Sequence, residues 1–392
     1  MTTSGHQSGG GPRTPRDFQL ETYFSRWEFE ASHHLTASDA ESRTLEELLA
    51  LGSQAQRERF QALHLAYIPT WGTDELRAAI ADTYARVDSS DVLTFAGAGE
   101  ALYWAMQLFT GPGDQVIATV PNYQSIESVP LASGVHVVGL PLWDGDGGER
   151  QWTFDIDRLE SLLNERTRIV ALNFPNNPTG FVPPREDWLR CLELCHERGV
   201  RVVSDEVYRG VELDASRTLP QAADVTPSAI SINVLSKAYG LPGLRIGWVA
   251  CRDRVVLGRL ERAKHYTSIC NAAPAEALGA LALRHREALL GDTRSVLRTN
   301  AAPVAEFMER HGDLFDYEPP LGGCVAYPRY KGPDGVETFC RRAVEEHGVL
   351  LLPASIYASE LLEAPDDCFR IGLGRRNVPE CLERLDEHLR ER

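Results

Sequence analysis

The sequence predicts an α/β protein whose large domain is a mainly parallel β-sheet flanked by helices, as in aminotransferase-like folds, with a smaller α+β domain formed from both termini. Three observations lead to this prediction. Short apolar segments alternate with helical patterns through most of the chain, which is typical of parallel sheets. Polar residues of unusual type follow these segments directly, where open α/β sheets bind ligands. Towards the C-terminus, helical patterns mix with short strands.

The predicted strands of the large domain are short and mostly aliphatic, as strands buried on both faces are. They are residues 92–96, 115–120, 135–142, 168–174, 200–208 and 231–235. Apolar residues spaced by three and four positions predict the helices between them. One helix follows Thr73, with Leu76, Ile80 and Tyr84 on one face.

The chain divides into four predicted segments. Residues 1–16 are rich in Gly, Ser, Thr and Pro and predict a flexible leader. Residues 17–50 predict an N-terminal arm that belongs to the small domain and covers the substrate. Residues 51–290 predict the large, cofactor-binding domain, and residues 291–392 the small domain. Helical patterns dominate from about residue 276 to 309, so we expect a long helix to connect the two domains.

Composition argues against several classes of function. The net charge of −16 argues against nucleic acids and anionic membranes as partners. No window approaches the apolar length of a membrane span, and the N-terminus lacks the apolar region of a signal peptide. Because the eight cysteines are scattered singly, we expect a cytoplasmic protein. Cys191 and Cys195 lack a complete ligand set nearby, so we expect no metal site.

One lysine stands out in this chain. Only Lys237, Lys264 and Lys331 occur, and every other member of the 40 Lys and Arg residues is arginine. Lys237 follows a buried strand and precedes a Gly- and Pro-rich turn. Because burial disfavours the charged form of an amine, this position predicts a nucleophile or a Schiff-base former. The structural alternative is a lysine at a strand end whose ammonium group reaches solvent.

A glycine turn marks a second candidate site. Gly97, Ala98 and Gly99 connect the strand at 92–96 to a helix. Such a turn offers free N–H groups and the positive end of a helix dipole to a phosphate. A dinucleotide fingerprint would place Gly or Ala at position 102, where Leu102 stands. The turn therefore predicts a site for a single phosphate.

Six further polar residues fall at or just beyond predicted strand ends: Tyr123, Asn177, Asp205, Tyr208, Ser236 and Arg245. One reagent accounts for all of them, because it carries a phosphate, an aromatic ring with a basic nitrogen, a phenolic oxygen and an aldehyde. Individually, each residue also has a structural interpretation. Asn177 is a common turn residue before proline, for example, and Tyr208 is also compatible with a core position.

With these residues the sequence resembles the fold-type I pyridoxal-phosphate (PLP) enzymes of the class I/II aminotransferase superfamily. The resemblance runs from about Tyr67 to Arg370. It is carried by the motifs N-P-T-G, D-E-x-Y and S-K-x-x-G-x-x-G-x-R, which are specific in combination. The resemblance implies PLP as cofactor, an amino acid as substrate and a homodimer with shared active sites.

The resemblance also implies roles for single residues on the cofactor ring. Lys237 would form the Schiff base with the cofactor and later move protons at Cα. Asp205 would pair with the pyridinium nitrogen, and Asn177 and Tyr208 would bind the phenolic oxygen. Tyr123 would stack on the ring.

Further implied roles concern the phosphate and the substrate. Ser236, Arg245 and the backbone of the turn at Gly97–Gly99 would hold the phosphate. Tyr67 would reach the phosphate of a neighbouring subunit. Arg370 would grip the α-carboxylate of the substrate through a bidentate pair, beside Asn177.

Two departures from the family pattern bear on function. Val234 stands three residues before Lys237, where many relatives have a second Ser or Thr. We therefore expect the phosphate-binding site to have one hydrogen-bond donor fewer, or a different residue in that place. The stretch at 27–41 differs from the glycine-containing loop usual in aminotransferases. Glu28, Glu30, Asp39 and Glu41 in this stretch are the candidate carboxylates for binding a substrate side chain, and of these we favour Glu28 and Glu30.

The reaction has two main interpretations. The first is transamination of an α-amino acid. The second is β-elimination or β-replacement, and here the whole chain is similar to capreomycidine synthases, which cyclise 3-hydroxyarginine in peptide-antibiotic pathways. A guanidinium group is no nucleophile until it loses a proton, so such a site needs carboxylates near the side chain. We favour the cyclase, with an aminotransferase or a C–S or β-lyase as the alternative.

A third interpretation is a regulator without enzymatic activity that is built on the same fold. Regulators of this kind carry an added N-terminal DNA-binding domain. Only a short leader precedes the first aromatic residues of this sequence, and the net charge is acidic. Both features make this the remote alternative.

Overall fold

The computed structural model describes residues 14–144 and 151–391. The predicted leader therefore lies outside the described residues except for its last three positions. Arg16, the last of these, donates to the buried Glu127 carboxylate at 2.7 Å and to the Ala358 carbonyl at 2.8 Å. The chain is thus anchored to the body of the protein from the end of the predicted leader onwards.

A seven-stranded sheet forms the centre of the large domain, in the order β2-β10-β9-β8-β7-β3-β4. The strands are β2 (Val92–Phe95), β3 (Gln115–Val120), β4 (His136–Pro141), β7 (Thr167–Asn173), β8 (Arg201–Asp205), β9 (Ile230–Val234) and β10 (Gly247–Ala250). β10 is antiparallel to both of its neighbours, and all other pairs are parallel. The predicted mainly parallel sheet is confirmed.

Helices cover both faces of this sheet. They are α4 (Asp74–Ala81), α5 (Ala98–Leu108), α6 (Ser125–Ala132), α7 (Ile156–Leu162), α8 (Arg185–Glu197), α9 (Ala222–Val225), α10 (Arg254–Lys264) and α11 (Ala273–Arg284). Every residue of β3 and β9 is buried. Two separate apolar clusters therefore form, one against α5, α6 and α10 and the other against α7, α8 and α9.

The second unit contains elements from both ends of the chain. Its helices are α1 (Gln19–Trp27), α12 (Arg286–Arg310), α13 (Val336–His347) and α14 (Val378–Arg390), and two further helices, α2 (Leu45–Ala50) and α3 (Gln54–Gln61), precede α4 in the chain. Its strands are β1 (His33–His34), β11 (Phe315–Asp316), β12 (Val325–Ala326), β13 (Arg329–Tyr330), β14 (Val349–Leu350), β15 (Leu352–Pro353) and β16 (Phe369–Gly372). A small hairpin, β5 (Trp143–Asp144) with β6 (Gln151–Trp152), lies beside β4.

The N-terminal arm joins this second unit through a parallel pair. His33 and His34 of β1 align with Val349 and Leu350 of β14. The pairing agrees with the prediction that the arm belongs to the small domain, although the domain boundaries themselves stay a prediction. α12 is the long connecting helix, and a separate helix, α11, precedes it with His285 between them. None of the described helices is long and apolar enough to cross a membrane.

At one edge of the sheet the backbone of Gly247 lies directly against the backbone of Gly97 and Ala98, with no side chain between them. A Cβ added to Gly247 at the start of β10 would lie 2.5 Å from the Gly97 carbonyl carbon and 2.7 Å from the Ala98 nitrogen. These are backbone atoms, which a rotamer change cannot move. Gly247 therefore permits the turn before α5 to lie directly against the strand that follows the Lys237 segment.

We predict that Gly247→Ala lowers the free energy of unfolding by about 1–3 kcal/mol because the added methyl group overpacks this contact. The matched control is Gly258→Ala in α10, where the nearest atom to an added Cβ is the end of the Arg262 side chain at 3.7 Å. That substitution should raise stability by up to about 1 kcal/mol, since alanine favours a helix over glycine. Urea denaturation of both variants tests this, and equal effects would contradict it.

Candidate functional site

The candidate site is a cavity of about 220 Å³ at the carboxyl edge of the central sheet. Its walls contain nine of the residues that the sequence predicts for the site: Ala98, Gly99, Tyr123, Asn177, Asp205, Tyr208, Ser236, Lys237 and Arg245. The parallel strands bring them together, because their carboxyl ends meet at one edge. Val234 lines the same cavity, so its wall is apolar there.

Lys237 follows β9 and is held from two sides by the N-terminal arm. Its Nζ donates to the Ser38 hydroxyl oxygen at 2.7 Å, and its carbonyl accepts from the Ala40 N–H at 3.1 Å. Burial lowers the pKa of the Lys237 amine, an effect that the Asp39 carboxylate opposes. The Lys237 amine therefore loses its proton more easily than the amine of an exposed lysine, and the neutral form is the nucleophile.

Asp205 ends β8 with its side chain buried. Burial raises the pKa of its carboxyl to about 7, against the opposing effects of the Val207 N–H and of Lys237. The Val207 N–H donates to Oδ1 at 3.2 Å. A buried carboxyl of this kind is stabilised in its charged form by any cation that enters the cavity.

A second group of polar side chains lies behind Asn177. Its Oδ1 accepts from the Tyr357 hydroxyl at 3.0 Å and from Arg370 Nη1 at 3.1 Å. Because the oxygen is occupied by these donors, the Asn177 NH₂ group is left to donate elsewhere. Arg370 is fully buried and also donates to Tyr357 at 2.6 Å and to the Thr36 carbonyl at 2.8 Å.

Arg370 does not line the cavity itself. It forms a hydrogen bond with Asn177, which does line the cavity. The Arg370 Nε is buried without a hydrogen-bond partner among the described residues. The Tyr208 hydroxyl is likewise buried without a partner in the described part of the chain. Burial raises the pKa of this hydroxyl well above its ordinary value, so Tyr208 stays protonated. Two unpartnered donors therefore lie at or beside the cavity, as expected of a site that binds a polar ligand.

The glycine turn supplies backbone donors. Gly97 has φ +99° and precedes α5 without a side-chain cap, so the first N–H groups of the helix remain available. An added Cβ at Gly97 would meet Arg245 Nη2 at 2.7 Å, which places the Arg245 guanidinium beside the turn. Arg245 itself adopts φ +52°. Helix N–H groups, a guanidinium and the Ser236 hydroxyl form a donor set suited to a phosphate.

The chain matches the family model for aminotransferase class I and II over residues 36–385. The chain belongs to the class I and II aminotransferase family. It is 31% identical, over 74% of both chains, to a probable N-succinyldiaminopimelate aminotransferase of Mycobacterium tuberculosis. It is 29% identical over 391 residues, 98% of this chain and 97% of the other, to a capreomycidine synthase of Streptomyces vinaceus.

A solved structure is also similar from end to end. The PLP-dependent cyclase OrfR shares 27% identity with this chain and superposes with a TM-score of 0.85. The similarity covers 98% of this chain and 100% of the cyclase. The aminotransferase fold predicted from the sequence is thereby confirmed, and the protein is a PLP-dependent enzyme.

The residues of the cavity fit the cofactor of this aminotransferase family. A phosphate matches the N–H groups at Ala98 and Gly99 with Ser236 and Arg245. A basic ring nitrogen matches the buried Asp205 carboxyl. A phenolic oxygen matches two donors, the unpartnered Tyr208 hydroxyl and the Asn177 NH₂ group. An aldehyde matches the Lys237 amine.

Besides Arg370, whose hydrogen bond to the cavity wall is with Asn177, three predicted residues lie away from the cavity. Tyr67 is 89% exposed and lies on a different surface. Glu28 and Glu30 are exposed and do not line the cavity, so they do not occupy the place that the sequence suggested for binding a substrate side chain. The physical reason is that α1 ends at Trp27, and both glutamates follow its far end.

Sequence reasoning missed several residues that line the cavity: Leu20, Glu21, Phe24, Ser38 and Asn173. Asn173 carried a usable signal, because it ends β7 in the same way that Asp205 ends β8. Its Oδ1 accepts from the Asn177 N–H at 2.7 Å and so fixes the loop that carries Asn177. The other four come from the arm, which lies far from the sheet in sequence.

The raised pKa of Asp205 predicts a pH dependence of stability in the cofactor-free enzyme. Its carboxyl titrates at about 7 when folded, and near 3.9 when unfolded. The folded state therefore binds more protons between these values, and its stability falls as pH rises through 7. From pH 5.5 to 8.5 we expect this group to remove about 2 kcal/mol.

Asp205→Asn should abolish this contribution, so the variant gains stability relative to the parent as pH rises. Urea denaturation of both cofactor-free proteins at pH 5.5, 7.0 and 8.5 measures the difference. A difference that is constant across these pH values would contradict the prediction. The asparagine variant should also bind PLP more weakly, since it lacks a negative charge opposite the ring nitrogen.

Proposed function

We propose that this protein cyclises 3-hydroxyarginine to capreomycidine by β-elimination and intramolecular β-replacement, as a step of peptide-antibiotic biosynthesis. The observation that carries the proposal is the N-terminal arm. The similarity to the capreomycidine synthase covers 98% of this chain and so includes the arm, most of which precedes the start of the family model at residue 36. The arm residues Leu20, Glu21, Phe24 and Ser38 form one wall of the cavity.

PLP, when bound, supplies an aldehyde that condenses with amines and a ring that takes up the electron pair left when a bond at Cα breaks. We assign Lys237 to hold it covalently and Asp205 to keep its ring nitrogen charged. We assign Tyr123, Asn177 and Tyr208 to the ring and its phenolic oxygen. The phosphate is assigned to Ser236, Arg245 and the backbone at Gly97–Gly99.

Arg370 orients the substrate in this proposal. Its guanidinium is buried and its Nε lacks a partner among the described residues, so a carboxylate is a favourable ligand for it. Tyr357 and the Thr36 carbonyl accept two of its other N–H groups and fix its plane.

Lys237 moves the protons. Its Nζ takes the proton from Cα, which requires the neutral amine that burial favours. Ser38 accepts a hydrogen bond from this amine and so holds it in the cavity when it is free. The hydroxyl group leaves Cβ with a proton as water, a guanidine nitrogen loses a proton and bonds to Cβ, and a proton returns to Cα. The substrate thus loses one water in total.

The experiment is an incubation of PLP-loaded enzyme with 3-hydroxyarginine, followed by the mass of the product. We expect loss of one water with the cofactor spectrum restored at the end of turnover. Lys237→Ala should lose the visible band of the lysine-bound cofactor and slow the reaction at least about a thousandfold. Loss of the amino group, with the cofactor left as pyridoxamine phosphate, would instead support the aminotransferase alternative.

We further propose a homodimer in which Tyr67 reaches the phosphate in the partner's site. Tyr67 is 89% exposed and Leu65 86% exposed. Tyr67 borders a groove of about 600 Å³ whose other walls include Phe60, Leu63 and Leu281. An apolar groove of this kind fits burial against a second copy. We keep the cytoplasm as the proposed compartment, supported by eight cysteines that are all free thiols.

Mixed dimers test the shared site. If Tyr67 acts across the interface, each site takes Lys237 from one subunit and Tyr67 from the other. A dimer of one Tyr67→Ala subunit and one Lys237→Ala subunit then has one site with both substitutions and one site with neither. Random mixing should then restore about a quarter of the parental activity, since half of the dimers carry one intact site of two. If Tyr67 acts within its own subunit, every site carries a defect and mixing restores nothing.

A further inference from the structure

We propose that Glu21 is the residue that selects a cationic substrate side chain, so that the cavity takes α-amino acids ending in a guanidinium or ammonium group. This inference deepens the proposed function and rests on it for the position of the substrate. No motif of the family includes Glu21. It follows from the residues that surround the cavity and from the charges left without a partner there.

Glu21 lies in the first turn of α1, between the cavity residues Leu20 and Phe24. The positions i and i+4 of a helix share one face, so Leu20 and Phe24 present an apolar wall. Glu21 adds a single carboxylate beside it. An apolar wall with one acid suits a side chain that has an alkyl stem and a charged end.

The walls of the cavity contain equal numbers of acidic and basic side chains. Its acids are Asp205 and Glu21, and its cations are Lys237 and Arg245. Asp205 lies at the sheet edge, where it is assigned to the cofactor ring. The Glu21 carboxylate forms no hydrogen bond or ion pair with any residue in the described part of the chain. It is therefore the acid of this cavity that remains available to a substrate.

Two other acids of the arm, Asp39 and Glu41, are already engaged. The Asp39 carboxylate accepts from Arg375 at 2.9 and 3.1 Å. Glu41 accepts from the Arg376 N–H at 2.8 Å. Both residues are thereby occupied in holding the arm to the second unit. Of the acids at positions 21–41, Glu21 alone both lines the cavity and lacks such a partner within residues 14–144 and 151–391.

The helix that carries Glu21 is fixed in place. The Gln19 N–H donates to Gln124 Oε1 at 2.9 Å, and Gln124 Nε2 donates to the Asp17 carbonyl at 2.8 Å. The Tyr23 hydroxyl donates to the Leu351 carbonyl at 3.1 Å on the other side. The backbone that carries Glu21 is therefore already in place before a ligand binds, so binding has to order only the Glu21 side chain.

The chemistry favours cations over neutral isosteres. A carboxylate pairs with a guanidinium through two parallel N–H···O bonds. Citrulline has the same length as arginine but carries a neutral urea group in place of the guanidinium. Glu21 is exposed before binding, but a bound side chain would cover it and reduce screening by water. We therefore expect the PLP-loaded enzyme to bind arginine about tenfold more tightly than citrulline.

The test measures dissociation constants of arginine and citrulline by titration of the cofactor spectrum. Neither ligand has a β-hydroxyl group that can leave, so elimination does not interfere. Glu21→Gln should raise the dissociation constant of arginine about tenfold and leave that of citrulline unchanged. Glu28→Gln and Glu30→Gln are matched controls, because they remove exposed carboxylates of the same arm that do not line the cavity.

The outcomes separate this inference from the proposed function. Retention of the arginine preference in Glu21→Gln, or its loss in Glu28→Gln, would overturn the role of Glu21. So would a parent enzyme that binds citrulline as tightly as arginine. If the preference depends on Glu21 but 3-hydroxyarginine does not lose water, the inference stands and the cyclase proposal fails. The spectrum of each variant without ligand verifies that the cofactor site is intact.

Discussion

The placement of one amine in a partly buried cavity is the constraint on which the rest of the structure depends. Lys237 can act as a nucleophile only if it is desolvated, and it can be desolvated only if something covers the edge of the sheet. Ser38 and Ala40 provide that cover, since both form hydrogen bonds with Lys237. Lys237 thus connects the N-terminal arm to β9, the strand at the end of the parallel part of the sheet.

The arm segment that covers Lys237 is itself held by close backbone contacts with two other segments. The chain passes closely over other segments: an added Cβ at Gly240 would lie 2.3 Å from the Glu41 carbonyl oxygen, and one at Gly372 would lie 2.1 Å from that of Ala37. Glycine is the residue that permits such approaches of backbone to backbone. The arm is therefore seated against the lysine turn on one side and β16 on the other, which brings Arg370 to the back of the same site.

The sequence predicted the sheet and its carboxyl edge well, because long aliphatic runs and strand-end polar residues are local signals. Asp205 ends β8, Tyr208 lies three residues beyond it and Asn177 lies four residues beyond β7, so parallel pairing of these strands brings them to the same edge. The arm could not be predicted in this way. Ser38 is 199 positions from Lys237, and a short serine-containing loop has no periodicity that would indicate its partner. We predicted Glu28 and Glu30 because they are acids of the N-terminal arm. Which acid of the arm faces the cavity depends instead on the rotation of α1 about its axis and on its end at Trp27.

The hydrogen bonds of Asn177 would couple the proposed cofactor site to the proposed substrate site. Its Oδ1 accepts from Arg370 and Tyr357, so its NH₂ group faces the position assigned to the phenolic oxygen. A carboxylate that draws Arg370 towards the substrate would weaken the bond to Asn177 Oδ1. Such a change would alter the hydrogen bond that Asn177 donates on its other side. In the proposed arrangement one amide would therefore link the arginine assigned to the substrate to the donors assigned to the phenolic oxygen, without any movement of the sheet.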